Sequence, residues 1–420
     1  MNSAIGSKGL PRATFADSGE ALSVTHGTVW DVIAGTDLDG LWYAYQVALN
    51  LTKQHGALVR LFADPRVLAR LLPALDALSG DQWWQGIHIL DAAMLQALQP
   101  APMALAIFEA AVPSAYARRR RDQRGGNIFR LSRLDDQSDA LHVGMDMNGR
   151  VHQGLPPFGA GFVKPSHHPH ELRGALRESP AGRASAIRRA RLPRDTRRGE
   201  RTVVVAASAS SGWRDWIPVW RSSDMPLRVL VLDGLGGGPA LPREMRQSRN
   251  SEEGALSIAL IDGCSWSLTD ELLWLSDLVL TCEEDIAMRA MACGVPVLYA
   301  APESRPDPTG RAAGKVLGWQ TRAWSASRAL WDSMAALCLA WQTGRHCATA
   351  WQRFVQTWDE ACQCGQATAA WLQTVPDLTD LALAMGCEQA EAVAEKELNP
   401  FASATVPAIF SELRACTAKR

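Results

Sequence analysis

Apolar positions follow two rhythms along this chain. Short continuous runs such as "TVWDVIAG" (28–35), "ALVRLFA" (57–63), "GIHIL" (86–90) and "MALAIFEA" predict buried strands. Between them, "LWYAYQVALNLTKQHG" (41–56) and "PRVLARLLPALDAL" (65–78) carry apolar residues at helical spacing, the first ending at Gly56. Apolar strands alternating with helices imply a parallel sheet covered on both faces. The rhythm lapses over 113–200, where "ARRRRDQRGG" (117–126) and "RRARLPRDTRR" (188–198) concentrate arginine. It resumes with "RTVVVAAS" (201–208), "LRVLVLDG" (227–234), "LSIALIDG" (256–263) and "DLVLT" (277–281), with "VPVLY" as the next strand. The pattern predicts two Rossmann-like domains, at 26–199 and 200–386, flanked by an N-terminal tail (1–25) and a C-terminal extension (387–420).

A length of 420 residues suits two cores better than one. A net charge of −1 gives no bulk attraction to nucleic acid or a membrane, and no apolar run is long enough to span a bilayer. The opening "MNSAIGSKGLPRATFADSGEALS" lacks an apolar signal core, so a cytoplasmic location is expected. All nine cysteines lie at or after Cys264 without metal-ligand spacing, which reads as reduced thiols. Trp324 and Trp331, like Trp351 and Trp358, are seven apart, which puts each pair on one helix face; they read as core. "DGLGGGPALP" (233–242) fits neither a P-loop nor G-x-G-x-x-G and reads as a strand-to-helix turn. "HHPH" (167–170) reads as a surface loop rather than a metal site.

The acidic turn Glu283-Glu284-Asp285 follows "DLVLT" and opens "EDIAMRAMACG". In an open α/β sheet, ligands bind beyond the carboxyl ends of the strands. The first amides of a helix lack intrahelical acceptors and present donors to an anion such as a diphosphate. Acidic residues there also serve simply as helix-start chemistry. Both uses are open on these residues alone.

The segment "EEDIAMRAMACGVPVLY" (283–299) resembles the donor-site segment of GT-B glycosyltransferases. It is most similar to the EarP family of protein-arginine rhamnosyltransferases, whose segment runs approximately R-G-E-D-S-F-x-R-A-Q-x-A-G-x-P-F. Glu284, Asp285, Arg289, Ala290, Gly294 and Pro296 match it. "AIFEAAVPSAY" (106–116) resembles E-A-F-G-x-x-L-P-x-x-Y, with Glu109 and Tyr116 in place. "LPPFGAGF", "ELRGALRE" and "TDELLWLSDLVLTCEED" resemble further family segments in the same order.

The resemblance implies two facing Rossmann-like domains and transfer of L-rhamnose from dTDP-β-L-rhamnose to an arginine of elongation factor P, with inversion. It implies a nucleotide-sugar donor and a protein acceptor as partners, with no separate cofactor and no metal. Donor contacts carry over to Glu284, Asp285, Ile286, Arg289 and Ser208. The family's first-loop acids, D-N-Y-G-D-I-G, correspond to "GTDLDGLW" (35–42), so Asp39 is the expected base and Asp37 its support. That loop is shorter here, and an ungapped count puts Gly40 at the second aspartate. Cys282 stands for the family's arginine, Ile286 for its serine and Ser208 for its nucleobase-stacking tyrosine. The arginine clusters suit either a solvated linker or steering of an acidic acceptor. Two alternatives are carried: a GT-B transferase with another nucleotide sugar, and a non-catalytic member that binds a protein partner.

Overall fold

A computed structural model describes residues 29–76, 79–124, 128–132, 150–151, 163–165, 169–192, 194–206, 213–233, 250–253, 255–262, 265–299, 327–375 and 377–380. Both terminal extensions, Ser208, Trp324 and most of "DGLGGGPALP" lie outside the described residues.

The first sheet contains β1 (Val29–Ile33), β2 (Leu58–Ala63), β3 (Asp81–Trp84), β4 (Ile87–Asp91), β5 (Met103–Ile107), β6 (Phe129–Leu131) and β7 (Arg150–Val151). Its order is β3-β4-β2-β1-β5-β6-β7, parallel except for the β3–β4 hairpin. The second contains β8 (Arg201–Ala206), β9 (Leu227–Asp233), β10 (Asn250–Glu253), β11 (Leu256–Asp262), β12 (Leu278–Thr281) and β13 (Val297–Tyr299). Its order is β10-β11-β9-β8-β12-β13, with only β10 antiparallel among the described strands. Both are the Rossmann-like arrangement that the apolar runs predict, because strands covered on two faces need little polar alternation.

Several local expectations change. The helix expected over 65–78 is Pro65–Leu71, since Pro73 cannot continue it. Trp351 and Trp358 are both core, with rings 6.0 Å apart, but they belong to two helices, Cys347–Gln356 and Trp358–Thr374, separated at Thr357. With Trp216, Trp220 and Trp341 they fill one face of the second sheet, whereas Trp331 is 38% exposed. "HHPH" does not end as a loop, because the helix Pro169–Glu178 starts within it.

The arginine-rich segment is built into the structure. Its first cluster lies in the helix Ser114–Arg124. There Arg120 donates to the carbonyls of Ala101 and Pro102, and Arg119 to those of Leu95, Gln96 and Leu98. Arg194 clamps Glu200 through two hydrogen bonds at 2.8 and 2.7 Å. The helices Pro169–Glu178 and Pro180–Arg189 lie against Trp266–Leu275, where Arg177 pairs with Asp277 at 2.6 Å. The connector is thereby anchored on the second domain.

The two domains share a continuous apolar core. The helix Leu38–His55 is the main first-domain contribution to that contact. Tyr45 lies against Trp266 at 5.2 Å, Asn50 donates to the Lys164 carbonyl at 2.9 Å, and His55 meets Asp380 at 2.9 Å.

Candidate active site

Each sheet reverses its strand order beside its first strand: β1 lies between β2 and β5, and β8 lies between β9 and β12. Ligand crevices in open α/β sheets form at such points. The helix Leu38–His55 leaves β1, and the helix Glu284–Ala292 leaves β12. Their first turns meet. For brevity they are called the Asp39 helix and the Glu284 helix.

Asp37 is the N-cap of the Asp39 helix, its carboxylate accepting from the Gly40 amide at 2.5 Å. That hydrogen bond uses Asp37 locally, as a short polar cap does. Gly40 has no room for a side chain, because a Cβ there would lie 2.8 Å from Asp37 Oδ1 and 3.3 Å from Gly35 Cα. Asp39 is buried, and its carboxyl lies within hydrogen-bonding reach of Asp285 across the interface.

On the opposing side, Glu283 is the N-cap and is half-buried; its amide donates to Thr281 Oγ1 at 2.9 Å. Cys282 is buried, its sulfur 3.7 Å from Glu283 Oε1. Glu284, Asp285 and Ile286 are buried against the first domain. The turn therefore faces the first domain. It is covered by the Asp39 helix rather than open.

Arg289 sits one turn further along. Its Nε donates to Asp270 at 2.9 Å, Nη1 to Asp285 at 3.1 Å and Nη2 to the Trp266 carbonyl at 2.7 Å. Its guanidinium lies 5.7 Å from the ring centre of Trp42, in the first domain. Each of its three nitrogens donates to a protein group, which makes it a clamp on Asp285. Burial raises the Asp285 carboxyl above the usual carboxylate range and Glu283 adds to this, while Arg289 and the Asp39 hydrogen bond oppose it.

Tyr43 lies one turn after Asp39 and is fully buried, its ring 5.0 Å from Phe108. Burial first, then Glu284, Asp39 and Asp285, push its phenol well above its ordinary value. Phe108 follows β5 with φ +53°, a strained conformation for a bulky residue, and the exposed Glu109 follows it. Tyr116 lies elsewhere: its hydroxyl donates to Asp31 at 2.6 Å in a buried network with Arg60. Tyr43, Trp42 and Asp270 were not singled out from the sequence. Their relation arises only where two sheets meet, and no local motif marks it.

A family model described as Elongation-Factor P (EF-P) rhamnosyltransferase EarP matches residues 42–385. The chain belongs to this family. It is accordingly a protein-arginine rhamnosyltransferase by family, a glycosyltransferase of GT-B architecture. The EarP match begins at Trp42, just past the first-loop acids Asp37 and Asp39. A "Protein-arginine rhamnosyltransferase" of Pseudomonas putida is 26% identical over 302 residues, covering 64% of this chain and 75% of that protein. A solved structure on EarP-mediated arginine glycosylation of translation elongation factor EF-P superposes with a TM-score of 0.57. It is 17% identical and covers 85% of this chain and 97% of the other, a likeness of fold. Among the described residues, no helix is long and apolar enough to cross a membrane.

Proposed function

We propose that this EarP-family member moves L-rhamnose from dTDP-β-L-rhamnose to an arginine nitrogen of elongation factor P, inverting the anomeric carbon. The observation that carries this reading is the meeting of Asp39 and Asp285 across the domain boundary. It puts an acceptor-side carboxyl directly opposite a donor-side helix start.

An arginine guanidinium has a pKa above about 12 and no acceptor lone pair, so it is a poor nucleophile. A carboxylate beside it orients it, localises its charge and takes a proton as the C–N bond forms. Asp39 takes this role, with Asp37 fixing the turn that aims it. The C–O bond to the diphosphate breaks on the opposite face of the sugar, and dTDP leaves as the anion. Attack from one domain and departure into the other is the geometry of inversion.

The first amides of the Glu284 helix, through Ile286, receive the diphosphate, and the helix dipole favours its charge. Glu284 accepts hydrogen bonds from sugar hydroxyls, and Asp285, held by Arg289, keeps the turn in place. By the family resemblance Ser208, which lies outside the described residues, stands where the nucleobase-stacking tyrosine would be. The acceptor puts the reaction in the cytoplasm. Intact-mass measurement of elongation factor P after incubation with enzyme and dTDP-rhamnose tests the reading. One added deoxyhexose per acceptor is expected; an unshifted mass with an acceptor that a control enzyme modifies overturns it.

A second reading, another nucleotide sugar in the same seat, is favoured by Cys282 and Ile286 standing where the family pattern has arginine and serine. Thermal-shift measurements with dTDP, UDP and GDP separate the two, stabilisation by dTDP supporting the first.

A further inference from the structure

We propose that the Tyr43 hydroxyl is an acceptor-side contact that takes a hydrogen bond from the substrate arginine's guanidinium. This rests on the transfer reaction proposed above.

Tyr43 is completely buried, yet its hydroxyl has no hydrogen-bond partner among the described residues. Buried hydroxyls are normally bonded, and leaving one unsatisfied is costly. The group nevertheless stands at the centre of the candidate site. It lies four residues after Asp39, on the same helix face, within electrostatic reach of Glu284, Asp39, Asp285 and Tyr299. Its ring is fixed edge-on by Trp42 and Phe108, each 5.0 Å away. Phe108 in turn belongs to the strained turn after β5. The hydroxyl is therefore held in place without being used by the fold.

The surroundings select the ligand. A buried phenol within reach of these carboxylates keeps its proton, so it stays a neutral oxygen able to accept as well as donate. The same acids attract a cation. A guanidinium is a cation with five N–H donors and no acceptor. One N–H directed at Tyr43 Oη leaves the others for Asp39, with the phenol proton turned to a carboxylate. The substrate arginine thus meets a preformed acceptor.

The test is Tyr43→Phe in the full chain, which keeps the ring and deletes only the oxygen. Three quantities are read: melting temperature without substrates, KM for dTDP-rhamnose, and kcat/KM for elongation factor P. The expected result is an unchanged or raised melting temperature, an unchanged donor KM, and acceptor kcat/KM lowered about tenfold or more. A melting temperature lowered by several degrees would assign the hydroxyl to the fold. An unchanged acceptor kcat/KM, or a loss confined to donor KM, likewise overturns the proposal. The wild-type control separates this from failure of the underlying reading, because no transfer by wild-type enzyme refutes both.

Discussion

Replacing Arg289 by methionine probes the clamp between the two domains. The side chain is 2% exposed and bonds to Asp270, Asp285 and the Trp266 carbonyl at 2.9, 3.1 and 2.7 Å. Methionine keeps much of the volume but leaves the Asp285 carboxyl buried without its cation. Removing one member of a buried pair costs about 3–5 kcal/mol. For a domain of this size that lowers the melting temperature by on the order of 10 °C. The loss also depends on pH with a definite sign. Asp285 already has a folded-state pKa raised above its unfolded value, chiefly by burial. Such a group favours the folded state most below the unfolded pKa, and that contribution is lost as pH rises through the folded pKa. Arg289 is the first of the influences holding that value down, so its removal raises it further and the deficit grows with pH. Denaturant unfolding of both proteins at pH 5 and pH 8 measures this directly. A deficit under about 1 kcal/mol, or one equal at both pH values, refutes the clamp.

Three other substitutions test separate contacts. Gly40→Ala would ordinarily stabilise a helix by about 0.4–1 kcal/mol, but a Cβ 2.8 Å from Asp37 Oδ1 reverses the sign, so thermal unfolding should show a loss. Gly365→Ala places a Cβ 2.7 Å from the Gly294 carbonyl and 3.0 Å from Pro296 Cδ, wedging the Trp358–Thr374 helix from the corner before β13; chemical denaturation should show a markedly lower midpoint. Tyr116→Phe removes one donor from buried Asp31, which keeps Arg60 and the Ala101 amide; stability should fall by about 1–3 kcal/mol while KM for the donor stays unchanged.

The strands of both sheets were legible where the chain buries them on two faces, as in β1, β8 and β12, whose apolar runs stand out. β3 was not, because "DQWW" is four residues long and alternates exposed and half-buried positions at a sheet edge, with no continuous apolar run to mark it. The arginine-rich stretch misled for a different reason. Arg119 and Arg120 carry long apolar stems to backbone carbonyls, and composition does not distinguish such an arginine from a solvated one. At the candidate site, motif and order along the chain singled out the acidic turn and Asp39, which the fold brings close together. The separation of Asp37 from Asp39 could not, since it depends on a capping hydrogen bond and on the space denied to Gly40. The closing of the acidic turn by a helix about 240 residues earlier was equally invisible, as was the burial of Tyr43 between them.

The division of labour between the first-loop acids is the point on which the mechanism turns. Initial rates of transfer to elongation factor P at saturating dTDP-rhamnose, compared for Asp39→Asn and Asp37→Asn, test it most directly. Loss of a general base predicts a drop of about 10²–10⁴-fold for Asp39→Asn, with Asp37→Asn retaining most of the rate because asparagine still caps a helix. Equal rates for the two variants, or a greater loss at Asp37, would contradict the assignment of Asp39 as the group that receives the proton.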